Sequence, residues 1–252
     1  MSSIFGLLHT TNTGRSASHP RQHFSARQIS IHPDSTSRLV YLTDPEGLAV
    51  ERYRLLRRRL HTLHPDGGVV LMTSPSPGEG KTLTSVNLAW SFAEVGNSTC
   101  LVDLDFRSPG MSRMLRYSFK EGGVQEVLQG EVEIDESIYQ LGEHPLYVLG
   151  IKKRLASPGH LFYSQSMQRM ISKLRAMFKW VLLDFAPVIP MADISEMIEN
   201  IDGVILVVRT NKTEKDMLNP AIEAIGSKLW GVVANDCAIS GSAYYGSYGQ
   251  EK

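Results

Sequence analysis

Residues 73–82, Thr-Ser-Pro-Ser-Pro-Gly-Glu-Gly-Lys-Thr, follow an apolar run, Val69-Val70-Leu71-Met72, and precede a helical pattern from Leu83 to Val95. Strand, glycine-rich loop, Gly-Lys-Thr, helix is the order that a phosphate-binding loop requires. Gly78 and Gly80 let the backbone curl, so that the amides between Pro77 and Leu83, those of Gly78, Glu79, Gly80, Lys81 and Thr82 included, turn inward on phosphate oxygens. The helix beginning near Lys81 adds the positive end of its dipole. Lys81 supplies a point charge for the β- and γ-phosphates, and Thr82 a hydroxyl for Mg²⁺. The competing reading is a Gly/Pro turn that happens to precede Lys-Thr. The usual first glycine of G-x-x-x-x-G-K-[ST] is Pro75 here.

Two downstream segments weigh against that competing reading. Thr99 to Arg107 (TCLVDLDFR) is a buried-strand pattern that ends in Asp103, Asp105 and Arg107, and Trp180-Val-Leu-Leu-Asp184 is another, ending in Asp184. Apolar runs with aspartates at their carboxyl ends are what a parallel sheet presents when that edge holds a cation. Mg²⁺ on a nucleotide takes one or two carboxylates besides phosphate oxygens and water. A single aspartate after a strand is usually a turn or cap residue; three of them beside a phosphate loop read as a nucleotide site.

Composition narrows the class. Of the 252 residues, 42% are hydrophobic and 21% charged, ordinary values for a globular chain. The formal net charge is zero, so no electrostatic attraction to nucleic acid is expected, and a DNA-partitioning ATPase is disfavoured for want of a basic patch. The two cysteines, Cys100 and Cys237, lie in apolar strand-like contexts and read as buried core thiols of a reducing compartment. No apolar run approaches the ~20 residues of a membrane span, and the first residues lack a secretory pattern. The expectation is a cytoplasmic chain that meets the membrane only through a partner.

From Val69 onward strand-like segments (69–74, 99–105, 146–151, 180–184, 203–209, 230–235) alternate with helix-like ones (81–95, 122–129, 165–178, 191–200, 213–227). That alternation predicts an α/β fold, a mostly parallel sheet with helices on both faces, preceded by an N-terminal helix. Asp44 and Pro45 read as the cap and first position of that helix, and Ala49, Tyr53, Leu56, Leu60 and Leu63 as its apolar stripe. Glu51, Arg54 and Arg57 lie off the stripe, where charges commonly form a solvated face. The expected domains are a flexible leader at 1–38, a nucleotide-binding domain at 39–240 and a flexible tail at 241–252. The tail carries Tyr244, Tyr245 and Tyr248, as low-complexity sequence or as a phosphorylation substrate. Asn235, after the last strand, is either an adenine reader or a turn residue.

With these residues in view, the chain resembles the bacterial tyrosine kinases (BY-kinases) of capsule and exopolysaccharide synthesis, over about residues 41–248. Ser74, Pro77 to Thr82 and Asn87-Leu88-Ala89 match the family's S-x-x-P-G-E-G-K-[ST]-x-x-x-x-N-L-A; Asp103, Asp105 and Arg107 match its D-x-D-x-R; Asp184 matches its third motif. Glu51, Arg54 and Arg57 match the E-x-x-R-x-x-R oligomerisation motif, and the tail matches the tyrosine cluster. The third motif departs from the family's D-[ST]-P-P: Phe185 stands where a hydroxyl could support the metal's water shell. The resemblance implies a three-layer αβα P-loop fold using ATP and Mg²⁺. Lys81 would hold phosphates, Thr82 and Asp103 the metal, with Asp184 acting directly or through water. Asp105 would orient the incoming tyrosine hydroxyl and accept its proton. It further implies a ring-like homo-oligomer through Glu51, Arg54 and Arg57, tyrosines phosphorylated in a neighbour's site, and a membrane polysaccharide copolymerase (chain-length-determinant protein) as docking partner. The alternative from another class is an ATP-switched assembly module without kinase activity.

Overall fold

The computed structural model describes residues 26–34, 36–189 and 193–237. In chain order its elements are β1 (Arg27–Ile29), α1 (Val40–Thr43), α2 (Leu48–Leu63), β2 (Gly68–Thr73), α3 (Lys81–Glu94), β3 (Thr99–Asp103), α4 (Met111–Leu115), α5 (Val124–Gln129) and α6 (Ile134–Ser137). There follow β4 (Tyr139–Leu141), β5 (Leu146–Leu149), α7 (Gly159–Phe162), α8 (Gln165–Met177), β6 (Trp180–Asp184), α9 (Asp193–Ile198), β7 (Gly203–Arg209), α10 (Lys215–Ile225) and β8 (Leu229–Asn235). Among the described residues the strands form one sheet in the order β1-β4-β5-β3-β6-β2-β7-β8, parallel except for the β4–β5 pair.

The central strands read as unbroken apolar runs because both of their faces are covered. Their side chains alternate between two cores. Val69, Leu71, Cys100, Val102, Val181, Leu183, Val204 and Leu206 meet α5, α8, α9 and α10 on one face. Val70, Met72, Leu101, Leu182, Ile205 and Val207 meet α2, α3 and α4 on the other. This is the three-layer αβα arrangement expected of the sequence.

The amino-terminal region departs from expectation. Asp44 caps the carboxyl end of α1, not the start of α2, whose cap is Gly47. Pro45 and Glu46 form the turn between the two helices. The turn residues were legible there, but a four-residue helix ahead of them carries too little periodicity to register. Leu63, assigned to the apolar stripe, is exposed, whereas Val50 and Leu60 are buried. Within the expected leader, β1 pairs in register with β4, Arg27 opposite Tyr139, so packed structure begins ahead of residue 39. Cys100 is a buried thiol as expected; Cys237 is half-buried and bonded to the Thr210 hydroxyl at 2.9 Å.

Candidate nucleotide site

The sheet order decides where the site falls. β2, which feeds the glycine-rich loop, lies between β6 and β7, and β3 lies beyond β6. Asp103 and Asp184 are therefore register neighbours at the carboxyl edge, and Asp184 is opposite Met72, one residue short of the end of β2. Gly78 (φ 78°) and Gly80 (φ 94°) adopt the left-handed backbone that curls the loop, and Gly80 caps α3. Beneath it the Ser74 hydroxyl donates to Ser76 O at 2.7 Å. The backbone N–H of Val188 donates to Ser74 O at 2.8 Å, tying the loop to the segment after β6.

Inside this cradle the polar groups form one connected set. Thr82 Oγ1 donates to Asp184 Oδ2 at 2.5 Å, and Ser85 Oγ lies 3.2 Å from Asp184 Oδ1 and 2.9 Å from Lys81 O. Asp103 accepts the backbone N–H of Asp105 and of Met111, each at 3.1 Å. Lys81 Nζ sits 3.4 Å from Asp105 Oδ2, while Asp105 Oδ1 accepts the Ser108 N–H at 3.0 Å. The loop from Arg107 to Gly110 covers the set so closely that a Cβ at Gly110 would lie 2.5 Å from Thr82 Oγ1. Burial pushes the Asp184 carboxyl up to about 6, with the Lys81 charge and the Thr82 hydroxyl opposing the shift. Asp103 is raised well above the ordinary range by burial and then by the neighbouring Asp184.

Two buried carboxylates whose protons are held this tightly, beside a hydroxyl and an ammonium, form a site short of positive charge. Thr82, Asp103 and Asp184 offer the hard oxygen donors that Mg²⁺ takes alongside phosphate. The residues present fit the pair.

The sequence foresaw Lys81, Thr82, Asp103, Asp105 and Asp184 at this point, and the structure brings them together. Three other residues are placed as follows. Asn235, read as either an adenine reader or a turn residue, donates its amide to Glu79 O at 3.0 Å and so lies on the phosphate loop. Phe185 is fully buried with its ring 5.1 Å from that of Phe162, so its side chain belongs to the apolar core and not to the metal's surroundings. Arg54 and Arg57 are half-buried and ion-paired within this chain and are not a freely solvated face. Arg54 pairs with Glu94 through two nitrogens and with Glu51 at 2.6 Å, and Arg57 reaches Glu94 Oε2 at 2.9 Å and Ser91 O at 2.7 Å. Tyr244, Tyr245 and Tyr248 lie outside the described residues.

Several residues that serve the site went unread. Ser85 had a signal, standing one helical turn beyond Lys81 on the same face. Asn87, matched in the sequence only as part of the loop motif, accepts the Val40 N–H at 3.0 Å and donates to Arg38 O at 3.2 Å, joining α1 to the loop helix. Gly110 and Glu94 act through chain segments that only the fold brings near.

Fold and site together define a P-loop nucleotide-binding protein. The family model of the CobQ/CobB/MinD/ParA nucleotide binding domain matches residues 70–247. The chain is 32% identical to the tyrosine-protein kinase YwqD of Bacillus subtilis (strain 168) over 219 residues, 84% of this chain and 91% of that one. It is 34% identical to the tyrosine-protein kinase CpsD of Streptococcus pneumoniae, over 73% of this chain and 84% of the relative. The BceF tyrosine kinase domain superposes with a TM-score of 0.70 at 26% identity, covering 79% of this chain and 84% of that structure. The chain belongs to the bacterial protein-tyrosine kinases of the P-loop class.

Proposed function

We propose that this protein uses ATP and Mg²⁺ to phosphorylate the tail tyrosines Tyr244, Tyr245 and Tyr248 of a neighbouring copy, as the regulatory kinase of a polysaccharide export system. The observation that carries the reading is the convergence of Lys81, Thr82, Asp103, Asp105 and Asp184 on one point of the sheet edge.

Phosphoryl transfer requires alignment and charge neutralisation more than covalent participation by the protein. The amides from Gly78 to Thr82 and the start of α3 hold the β- and γ-phosphates, and Lys81 adds a positive charge there. Thr82, Asp103 and Asp184 hold Mg²⁺, with Ser85 fixing the Asp184 carboxylate. When bound, the ion would supply positive charge that neutralises the phosphates. Asp105 orients the tyrosine hydroxyl and takes its proton, a useful step because a phenol ionises only near pH ~10. Lys81 lies 3.4 Å from Asp105, so its charge would be shared between that carboxylate and the phosphates.

The ring is formed through Glu51, Arg54 and Arg57. Docking at the inner face of the membrane is through a copolymerase-type partner, in keeping with described residues that include no helix long and apolar enough to cross a membrane. Deleting residues 241–252 tests the reading. Self-phosphorylation should vanish while ATP binding persists; phosphorylation retained without the tail would overturn the assignment of its tyrosines.

A further inference from the structure

The glycine-rich loop is gripped from outside by the last third of the chain. Asn235 Nδ2 donates to Glu79 O at 3.0 Å, while its Oδ1 accepts the Asp236 N–H at 2.9 Å, so the amide has a fixed orientation. The fit is tight. A Cβ at Gly80 would collide with Asn235 Nδ2, and Gly80 also has the positive φ that glycine tolerates. The same loop is touched twice more from the β7–α10 connection. Lys212 Nζ lies 3.5 Å from Gly78 O, and the Thr213 hydroxyl faces the buried Glu79 side chain. Thr213 is itself held in place by accepting the Arg209 N–H at 2.8 Å. Glu79 is 1% exposed, and its Oε2 has no hydrogen-bond partner among the described residues. That is a costly arrangement for a loop residue, tolerated where the side chain is needed as an anchor.

These contacts share one geometry. They engage the carbonyls of Gly78 and Glu79 and the Glu79 carboxylate, and not the amides of residues 78–82 that turn inward on phosphate. We infer that Asn235, with Thr213 and Lys212, is a positioning clamp that pre-organises the phosphate loop, and that Asn235 sets affinity for the polyphosphate and does not read the base. The inference rests on the nucleotide-binding reading of the site and deepens it.

Base reading and loop positioning give opposite patterns across ligands. The test compares Mg²⁺ complexes of ATP, GTP and inorganic tripolyphosphate by calorimetry on the full chain, for the wild type, Asn235→Ala and Thr213→Val. A clamp predicts that all three ligands weaken together in Asn235→Ala, by roughly 3- to 10-fold, the value of one hydrogen bond, and that Thr213→Val follows in the same direction. A loss confined to ATP, with tripolyphosphate unchanged, would overturn it, as would wild-type affinity for all three. Amide hydrogen exchange supplies a readout without ligand. In Asn235→Ala, exchange should quicken in residues 78–82 while β2, β3 and β6 stay protected. Quickening across the whole sheet would reveal a general structural role and overturn the proposal. Failure of the wild type to bind any of the three would refute the nucleotide reading itself, and the clamp with it.

Discussion

Asp184 concentrates the site's electrostatics in one side chain. In the unfolded chain its carboxyl has the ordinary value of 3.8, and in the fold burial pushes it up to about 6. The folded state therefore binds that proton more tightly than the unfolded state. The resulting stability is present at low pH and is lost as pH rises through about 6, with Asp103 acting in the same sense. Asp184→Asn should raise the melting temperature of the free protein at neutral pH, flatten its decline between about pH 4 and 6, and abolish Mg²⁺-dependent nucleotide binding. An unchanged pH slope in thermal melts would contradict this account. Phe185 gives a prediction of opposite character. Since its ring packs on Phe162 in the core, Phe185→Thr should cost about 3 kcal/mol of stability by denaturant titration, with no gain in phosphoryl transfer. A rise in activity would return position 185 to the metal's surroundings.

At the scale of elements, α3 is the connection between the site and the rest of the molecule. It starts at Lys81 and ends at Glu94, whose carboxylate holds Arg54 and Arg57 of α2; Arg54 first and then Arg57 hold the Glu94 carboxyl below the ordinary range against the opposing effect of burial. The arginines proposed for the ring are thus engaged inside one subunit, and assembly has to exchange those bonds for intermolecular ones. Glu94→Gln should loosen α2 from α3 by on the order of 1–2 kcal/mol and shift light scattering toward larger assemblies. Unchanged assembly would argue that Arg54 and Arg57 serve only to join the two helices. The elements legible in the sequence were those with long runs of one period: the strands β2, β3, β5, β6, β7 and β8 and the helices α3, α8 and α10. Short pieces such as β1, α1 and β4 escaped because three or four residues carry no period, and their existence depends on partners distant in sequence. In the same way Lys81, Thr82, Asp103, Asp105 and Asp184 were readable because each stands at a fixed offset from a strand end. The lodging of Asn235 on the loop was not, because it depends on a contact across 156 positions of sequence.

For the whole molecule, the proposed function joins a phosphate-binding edge to a tyrosine-bearing tail and to the surface proposed to join copies. A charge reversal at Arg57 should therefore lower both oligomer size and phosphorylation, because each tail would be received by the next subunit. Loss of assembly with full phosphorylation would mean that each chain serves its own tail. Phosphotyrosines, each adding nearly two negative charges, should in turn weaken assembly by repelling the tail from the carboxylates at the sheet edge. The most direct test of the central claim is intact mass of the full chain after incubation with Mg²⁺ and ATP, with Lys81→Met as control. The account predicts shifts in steps of about 80 Da that map to Tyr244, Tyr245 or Tyr248 and are absent from the control. An unshifted mass in a protein shown to bind ATP would contradict it.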